Sequence, residues 1–462
     1  MWCGTRRDFL RTSGAVVGST GLGLAAVRAI AEQPGGQSHP DTGVTVLNPQ
    51  NRVPLSYFID DSTCLVNLGH YGMPQFADVY PDQDAFKKPW KTWPREIPNA
   101  FLREFGQWCA EQGVKGKFSI MPYPACVGWL DRELPGWSRQ ELQASLKLVR
   151  ELMLPNWDIH PEMISHTRVI DLKTGRPFAE LSPATMENSY PQTKKSADEL
   201  AAYMAYALRI LKNCELPCEG ITTPGGFGTR VKSELSLAVQ QAVREVYSAE
   251  IPHYFKYVVS GGKESTQPKL EHVGDIGTQT PRLTVSVPAG TGDWFGNWDG
   301  DQKSQGSLYA NDDATSGRMV ELIERGELAV MLCHWPGLYT QGTKQGFADL
   351  KKVILALNGR YRDRTIWMKI SEIARYWAAK ELTRIERAGR TITLHAPFAS
   401  PRFTIRAAMP PGAVPKLSNR EGPVALRQVS QSADLKPGTW LSDKQSVIIC
   451  FDLPKGDSVI EI

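Results

Sequence analysis

From Leu55 to about Leu382 the chain repeats one rhythm, a short apolar run followed by a segment whose apolar residues recur at helical spacing. LSYFIDD precedes NAFLREFGQWCAEQG, VKGKFSIMPYP precedes a helical pattern near Ser138 to Met153, and NWDIHPEMI precedes one near Ser196 to Lys212. GITTPGG, TVSVP, LAVMLCHWP and TIWMKI continue the series, with helical patterns near Lys232 to Val246, Thr315 to Glu324, Phe347 to Leu357 and after TIWMKI. Strands that alternate with helices pair in parallel, because only a crossover long enough to hold a helix returns the chain to the same edge. About seven such units in about 330 residues predict an α/β fold built as a distorted (β/α) barrel over residues 51–382.

Beyond Leu382 the helical period stops. RTITLHAP, RFTIRAAMP, VALRQV, SVIICFDLP and DSVIEI alternate apolar with polar residues between Pro and Gly breaks, which predicts a small antiparallel β-sandwich over 383–462. His395 lies on one of these strands and reads as structural. A length of 462 residues has room for both units, and 41% hydrophobic with 22% charged residues excludes disorder and fibrous repeats.

The first residues have a different character. TRRDFLRT (Thr5 to Thr12), a weakly apolar stretch from Gly14 to Val27 and the small pair Ala29 and Ala31 resemble a twin-arginine export signal over residues 1–31. The apolar part is too short and Gly-rich to span a membrane, so the mature chain is expected outside the cytoplasm, periplasmic or extracellular, with no transmembrane span. Residues 32–50, rich in Gly, Pro, Gln and Asn, read as a linker. The formal charge is +4, and the first 31 residues hold four basic groups and one acid, so the mature chain carries +1. That leaves no basic stripe for a phosphate backbone, and nucleic acid is excluded as a partner. Cys64 and Cys333 sit in apolar runs as buried thiols, Cys214 and Cys218 are spaced to bridge in an oxidising compartment, and no CxxC zinc spacing occurs.

Three clusters concentrate chemistry. Phe58 to Thr63 ends an apolar strand in the adjacent carboxylates Asp60 and Asp61, where a parallel α/β barrel gathers its active site. Successive strand side chains face opposite ways, so both reach one site only where the strand is ending. Trp157 to Thr167 packs Asp158, His160, Glu162 and His166 into nine residues. With a helix after Pro161, Glu162 and His166 would share a face, and such a set suits Zn, Fe, Co or Mn. Leu328 to Trp335 is a buried-strand pattern with His334 at its C-terminal end, placed to act as a general acid. Each has a plainer reading as a capped turn, a polar helix start or a core histidine. The loop Thr291 to Asp299 adds Asp293, Trp294 and Trp298, aromatic faces beside polar groups that suit sugar rings or an internal lid.

In their order along the chain, Asp60-Asp61, the His166 segment, the Thr223-Pro224-Gly225 turn, Asp293-Trp294 and Leu332-Cys333-His334 resemble the polysaccharide deacetylases of the carbohydrate esterase family 4 type. The resemblance runs from about Leu55 to Arg375. It implies that Asp60 is the general base, Asp61 a metal ligand and His334 the general acid, with Pro224, Asp293, Trp294 and Trp298 lining the substrate groove. Two departures stand out. Thr222 stands where that family has an orienting Arg, so the charge is absent or comes from elsewhere, Arg230 being one source. The family's first metal histidine falls on Glu162, so the divalent metal, Zn first with Fe, Co or Mn as alternatives, is expected on Asp61, His166 and one of His160 and Glu162. His160 is favoured because a neutral ligand preserves the usual charge.

The resulting expectation is a metal-dependent hydrolase that removes acetyl groups from a carbohydrate outside the cytoplasm. Two alternatives stay open: a carbohydrate-binding relative without catalysis, and a metal-free glycosidase using Asp60 and Glu162.

Overall fold

The computed structural model describes residues 42–410, 412–443 and 445–462. The segment expected to be an export signal, with its expected cleavage site, lies outside the described residues, as does most of the expected linker. The last part of that linker is not a linker: Val44–Val46 forms a strand paired antiparallel with Ser400–Ala408 of the C-terminal sandwich.

The strand Val53–Asp60 is buried along its whole length. It runs parallel between Ala329–His334 on one side and Gly116–Ser119 on the other, and the latter pairs with Trp157–His160. Thr365–Trp367 pairs with its first residues. A second sheet holds Gly220–Thr222, His253–Phe255 and Arg282–Ser286 in parallel, with Lys269–Gly274 antiparallel on its edge. The two sheets meet at a parallel bridge between Glu162 and Thr222 and at the Gly290 N–H bonded to Val330 O at 2.9 Å.

The architecture is therefore mixed α/β with parallel strands, and the expected barrel is met only in part: no continuous ladder closes the ring among the described residues. The reason is strand length, since Gly220–Thr222 and His253–Phe255 are three residues each and offer few ladder bonds. The antiparallel Lys269–Gly274 edge was not legible, because its exposed and intermediate residues carry no apolar alternation.

The helices predicted from apolar periodicity form where the pattern placed them. Ser138 and Ser196 close capping boxes with Glu141 and Glu199 at the starts of Arg139–Leu148 and Ala197–Asn213, which satisfies otherwise orphaned N–H groups. The helix Leu68–Val79 was not predicted. It contains Gly69, Gly72 and Pro74, all poor helix formers, and is held by burial of Leu68, Met73 and Phe76 and by an Asn67 cap.

The two faces of the central strand feed different cores. Leu55, Tyr57 and Ile59 pack with the surrounding helices, whereas Phe58 joins Phe255, Val285 and Leu332 in a core that continues through Trp377 into Phe403 and Ile449 of the sandwich. The C-terminal region consists of two five-stranded sheets, mostly antiparallel, with Arg427–Val429 parallel to its neighbour. It shares an apolar core with the α/β part through the helix Ile370–Leu382. Cys214 and Cys218 are both free and buried, so the expected bridge is not formed, while Cys64 and Cys333 are buried as anticipated.

Candidate functional site

The strand Val53–Asp60 delivers its two terminal carboxylates to different places. His334 is the in-register neighbour of Asp60. Asp61 leaves the strand with φ of 58°, a left-handed conformation that turns its side chain away from the strand alternation. Asp60 lies against the Lys117 ammonium with both side chains wholly buried. Lys117 also bonds Ser119 Oγ at 2.8 Å and Ile59 O at 3.3 Å, and its Nζ lies over the rings of Phe58 and Phe255 at 5.6 and 5.1 Å.

Asp61, Glu162 and His166 each present a ligand atom within 4.8 Å of the others, and all three are buried. His166 Nε2 is 2.8 Å from Asp61 Oδ1 and 3.7 Å from Glu162 Oε1, while Glu162 Oε2 accepts the Asp61 N–H at 2.9 Å. Asp61 Oδ2 is buried and accepts no hydrogen bond from any described residue. Two carboxylates and an imidazole, with a buried oxygen left over, fit a divalent cation of the Zn, Fe, Co or Mn type. The segment after Pro161 is not helical as expected. It is a loop in which Met163 and His166 adopt left-handed conformations, and it folds His166 back onto Glu162.

His160 does not join this cluster, which corrects the preference stated from sequence. It is the last residue of its strand and is wholly buried, with Nε2 3.1 Å from His253 Nε2 and Nδ1 3.3 Å from Thr222 Oγ1. A side chain at Gly220 would meet its ring at 2.4 Å, so only glycine fits beside the pair. Burial, with His253 and Lys117 nearby, pushes His160 well below its ordinary pKa.

Glu187 holds the His166 loop from below. Its carboxylate accepts the consecutive N–H groups of Ile164, Ser165 and His166, and the Tyr203 hydroxyl donates to it. Burial pushes Glu187 up to about 7 against these donors. Glu162 is also raised to about 7, by burial first and then by Asp60 and Asp61. For His166 burial works downward, but Asp61 outweighs it and lifts the imidazole to about 9. His334 follows the same pattern: burial opposes, and Asp61 and Asp293 raise it to about 9.

His334 is oriented from its far side. Its Nδ1 is 2.7 Å from Asp293 Oδ2, which leaves Nε2 facing Asp61 Oδ2 at 3.9 Å. The loop carrying Asp293 is pinned to the same strand, because Thr291 Oγ1 accepts the Leu332 N–H and Tyr309, stacked on Phe295, donates to Leu332 O. Trp294 packs edge-on against Tyr309, and Pro224 is buried. Trp298 belongs to an aromatic group with Phe76 and Phe86, and the Phe76 ring stands 6.4 Å from that of His166. Lys88 bonds Asp299 at 2.6 Å and ties the Phe86 segment to this loop.

Arg230 is exposed, and the cation beside the Asp pair is Lys117 instead. Its signal was a lysine inside the apolar run VKGKFSI, legible as an anomaly without a partner. Glu187 and His253 had no such signal, since each is defined by what packs on it from distant segments.

No protein-family model matches the chain, and no curated protein matches it in sequence. Among solved structures it is similar to a Parabacteroides distasonis protein named as a candidate glycoside hydrolase/deacetylase, at 9% identity over 78% of this chain and 82% of that one, with a TM-score of 0.40. It is also similar to the 4-alpha-glucanotransferase of Thermococcus litoralis, at 11% identity over 70% of this chain and a TM-score of 0.35, where it spans 40% of that chain. The alpha-fucosidase of Thermotoga maritima gives 9% identity, 90% and 97% coverage and a TM-score of 0.29. Likeness at this level fixes neither family nor activity.

Proposed function

We propose that the chain is a metal-dependent hydrolase that removes acetyl groups from a carbohydrate, acting outside the cytoplasm. The observation that carries this reading is the convergence of the buried Asp61, Glu162 and His166 cluster with His334, whose second nitrogen is tied to Asp293 and whose first faces the cluster. Asp61, Glu162 and His166 would hold the ion, Zn being the leading candidate; when bound it supplies Lewis acidity and a water of lowered pKa. His334 Nδ1 donates to Asp293, so the Nε2 proton is the one available to a leaving amine or alkoxide. Asp60, held in place by Lys117 and Ser119, is the carboxylate assigned to accept a proton. The half-buried Trp298, backed by the buried Phe76 and by Phe86, offers an apolar ring face to the C–H face of a sugar. The glycosidase alternative has less support, because its second carboxylate, Glu162, is bonded into the cluster with Asp61 and His166.

Elemental analysis of the purified protein beside His166→Ala tests the reading, followed by acetate release from acetylated chito-oligosaccharides and acetylated xylan. About one divalent ion per chain, lost in the variant, together with acetate release is the expected result. Folded protein that takes up no Zn, Fe, Co or Mn would overturn it.

A further inference from the structure

We infer that Glu187 is a positioning residue for the metal centre, acting through the backbone of the loop that carries His166. This rests on the reading of Asp61, Glu162 and His166 as metal ligands. His166 occupies a left-handed conformation with φ of 66°, and Met163, three residues earlier, does so at 53°. Such conformations cost about 1–3 kcal/mol each and persist only where the surroundings over-determine them. Between the bridges at Glu162 and Arg168 the loop has no helical or sheet ladder; Tyr123 and Ala125 donate to the carbonyls of Ile164 and Ser165, which leaves the N–H groups of this turn to be satisfied from elsewhere.

Glu187 supplies what is missing. One carboxylate collects three successive N–H groups: Oε1 accepts from Ile164 at 3.1 Å, and Oε2 from Ser165 at 3.1 Å and from His166. A run of N–H groups converging on one point is an anion-binding concavity, and here the anion is built into the chain. The carboxylate is itself fixed by the Tyr203 hydroxyl, which donates to it and accepts the Ile170 N–H at 3.1 Å. The Glu187 N–H in turn bonds Thr167 O at 2.8 Å, so both ends of the residue grip the loop. His166 Nε2 is thereby held 2.8 Å from Asp61 Oδ1, on the side where Asp61 and Glu162 converge. Groups that orient a metal ligand in this way change metal affinity when altered, typically by 10–100-fold.

The test uses metal-free full-length protein titrated with Co²⁺, reading both the dissociation constant and the visible absorption of the bound ion. Glu187→Gln keeps the shape of the side chain but replaces one acceptor oxygen with a donor. The variant is expected to bind Co²⁺ about 10–100-fold more weakly than the parent, with an altered visible spectrum. Glu187→Asp keeps the carboxylate on a shorter stem and is expected to fall between the two. It also serves if the Gln variant does not fold. A role confined to stability would lower the melting temperature and leave the spectrum of the bound ion unchanged. A folded variant that binds Co²⁺ within twofold of the parent, with the same spectrum, overturns the inference. Parent protein that binds no Co²⁺ overturns the metal reading itself, which is seen before any variant is made.

Discussion

Lys117→Met removes the ammonium that faces Asp60 while keeping most of the side-chain volume. Both side chains are wholly buried, so water cannot replace the lost partner. Breaking a buried ion pair by removing one member costs about 3–5 kcal/mol, because the other charge is left in a medium that solvates it poorly. Asp60→Asn should cost less, about 2–3 kcal/mol on the same scale, since Lys117 keeps Ser119 Oγ, Ile59 O and the faces of Phe58 and Phe255. Removing both charges together should cost only about 1–2 kcal/mol, as replacement of a buried pair by apolar or neutral groups is often close to neutral. The coupling energy between the two sites is therefore expected at about 3 kcal/mol or more. Urea unfolding of the parent, both single variants and the double variant, all in EDTA to keep metal out of the comparison, measures it. Additive losses, or a Lys117→Met variant within about 1 kcal/mol of the parent, would refute the claim that this pair is a matched buried charge.

Three further outcomes are expected. Asp293→Asn weakens the bond that orients His334 and should lower kcat for acetate release about 100-fold or more, with Co²⁺ affinity unchanged; a loss of metal binding instead would place Asp293 in the metal site. His160→Leu should retain one metal per chain and lose about 1–3 kcal/mol of stability through the orphaned His253 and Thr222, and loss of the metal would restore His160 as a ligand. The capping carboxylate Glu199 is held down to about 2 by Lys195 and then Ser196, against an ordinary value of 4.5. A depressed carboxylate stabilises the fold above its unfolded pKa and loses that effect as pH falls through the folded one. The urea midpoint of the parent should therefore exceed that of Glu199→Gln at pH 6, and the gap should close as pH drops from 4.5 toward 2. A gap that stays constant over that range would show that Glu199 caps the helix without its charge.

The aromatic group at the site makes the carbohydrate part of the proposal separable from the chemistry. Trp298 packs on Phe76 and Phe86 and is not one of the clustered ligands Asp61, Glu162 and His166, so its replacement, with metal content measured alongside, tests substrate contact.

What the sequence determined by itself was what local pattern carries. The alternation of apolar runs and helical periods marked the parallel strands and the helices that begin near Ser138 and Ser196, and the period-two region beyond Leu382 marked the sandwich. These are properties of neighbouring residues, and burial enforces them wherever the chain folds. Asp60, Asp61 and His334 were legible for the same reason, as polar residues at the ends of apolar strands. The tertiary structure alone decided which of His160 and Glu162 stands with Asp61 and His166, because a loop with two left-handed residues replaced the helix that local spacing suggested. It also decided that Lys117 supplies the charge beside Asp60 and that Glu187 anchors the His166 loop. In both cases the partners lie far apart in sequence, 57 and 21 residues respectively, and only the register of the parallel strands and the packing of the loop bring them together. A buried charge or an orphaned N–H requires a partner for physical reasons, but the linear chain does not say where in space that partner will be.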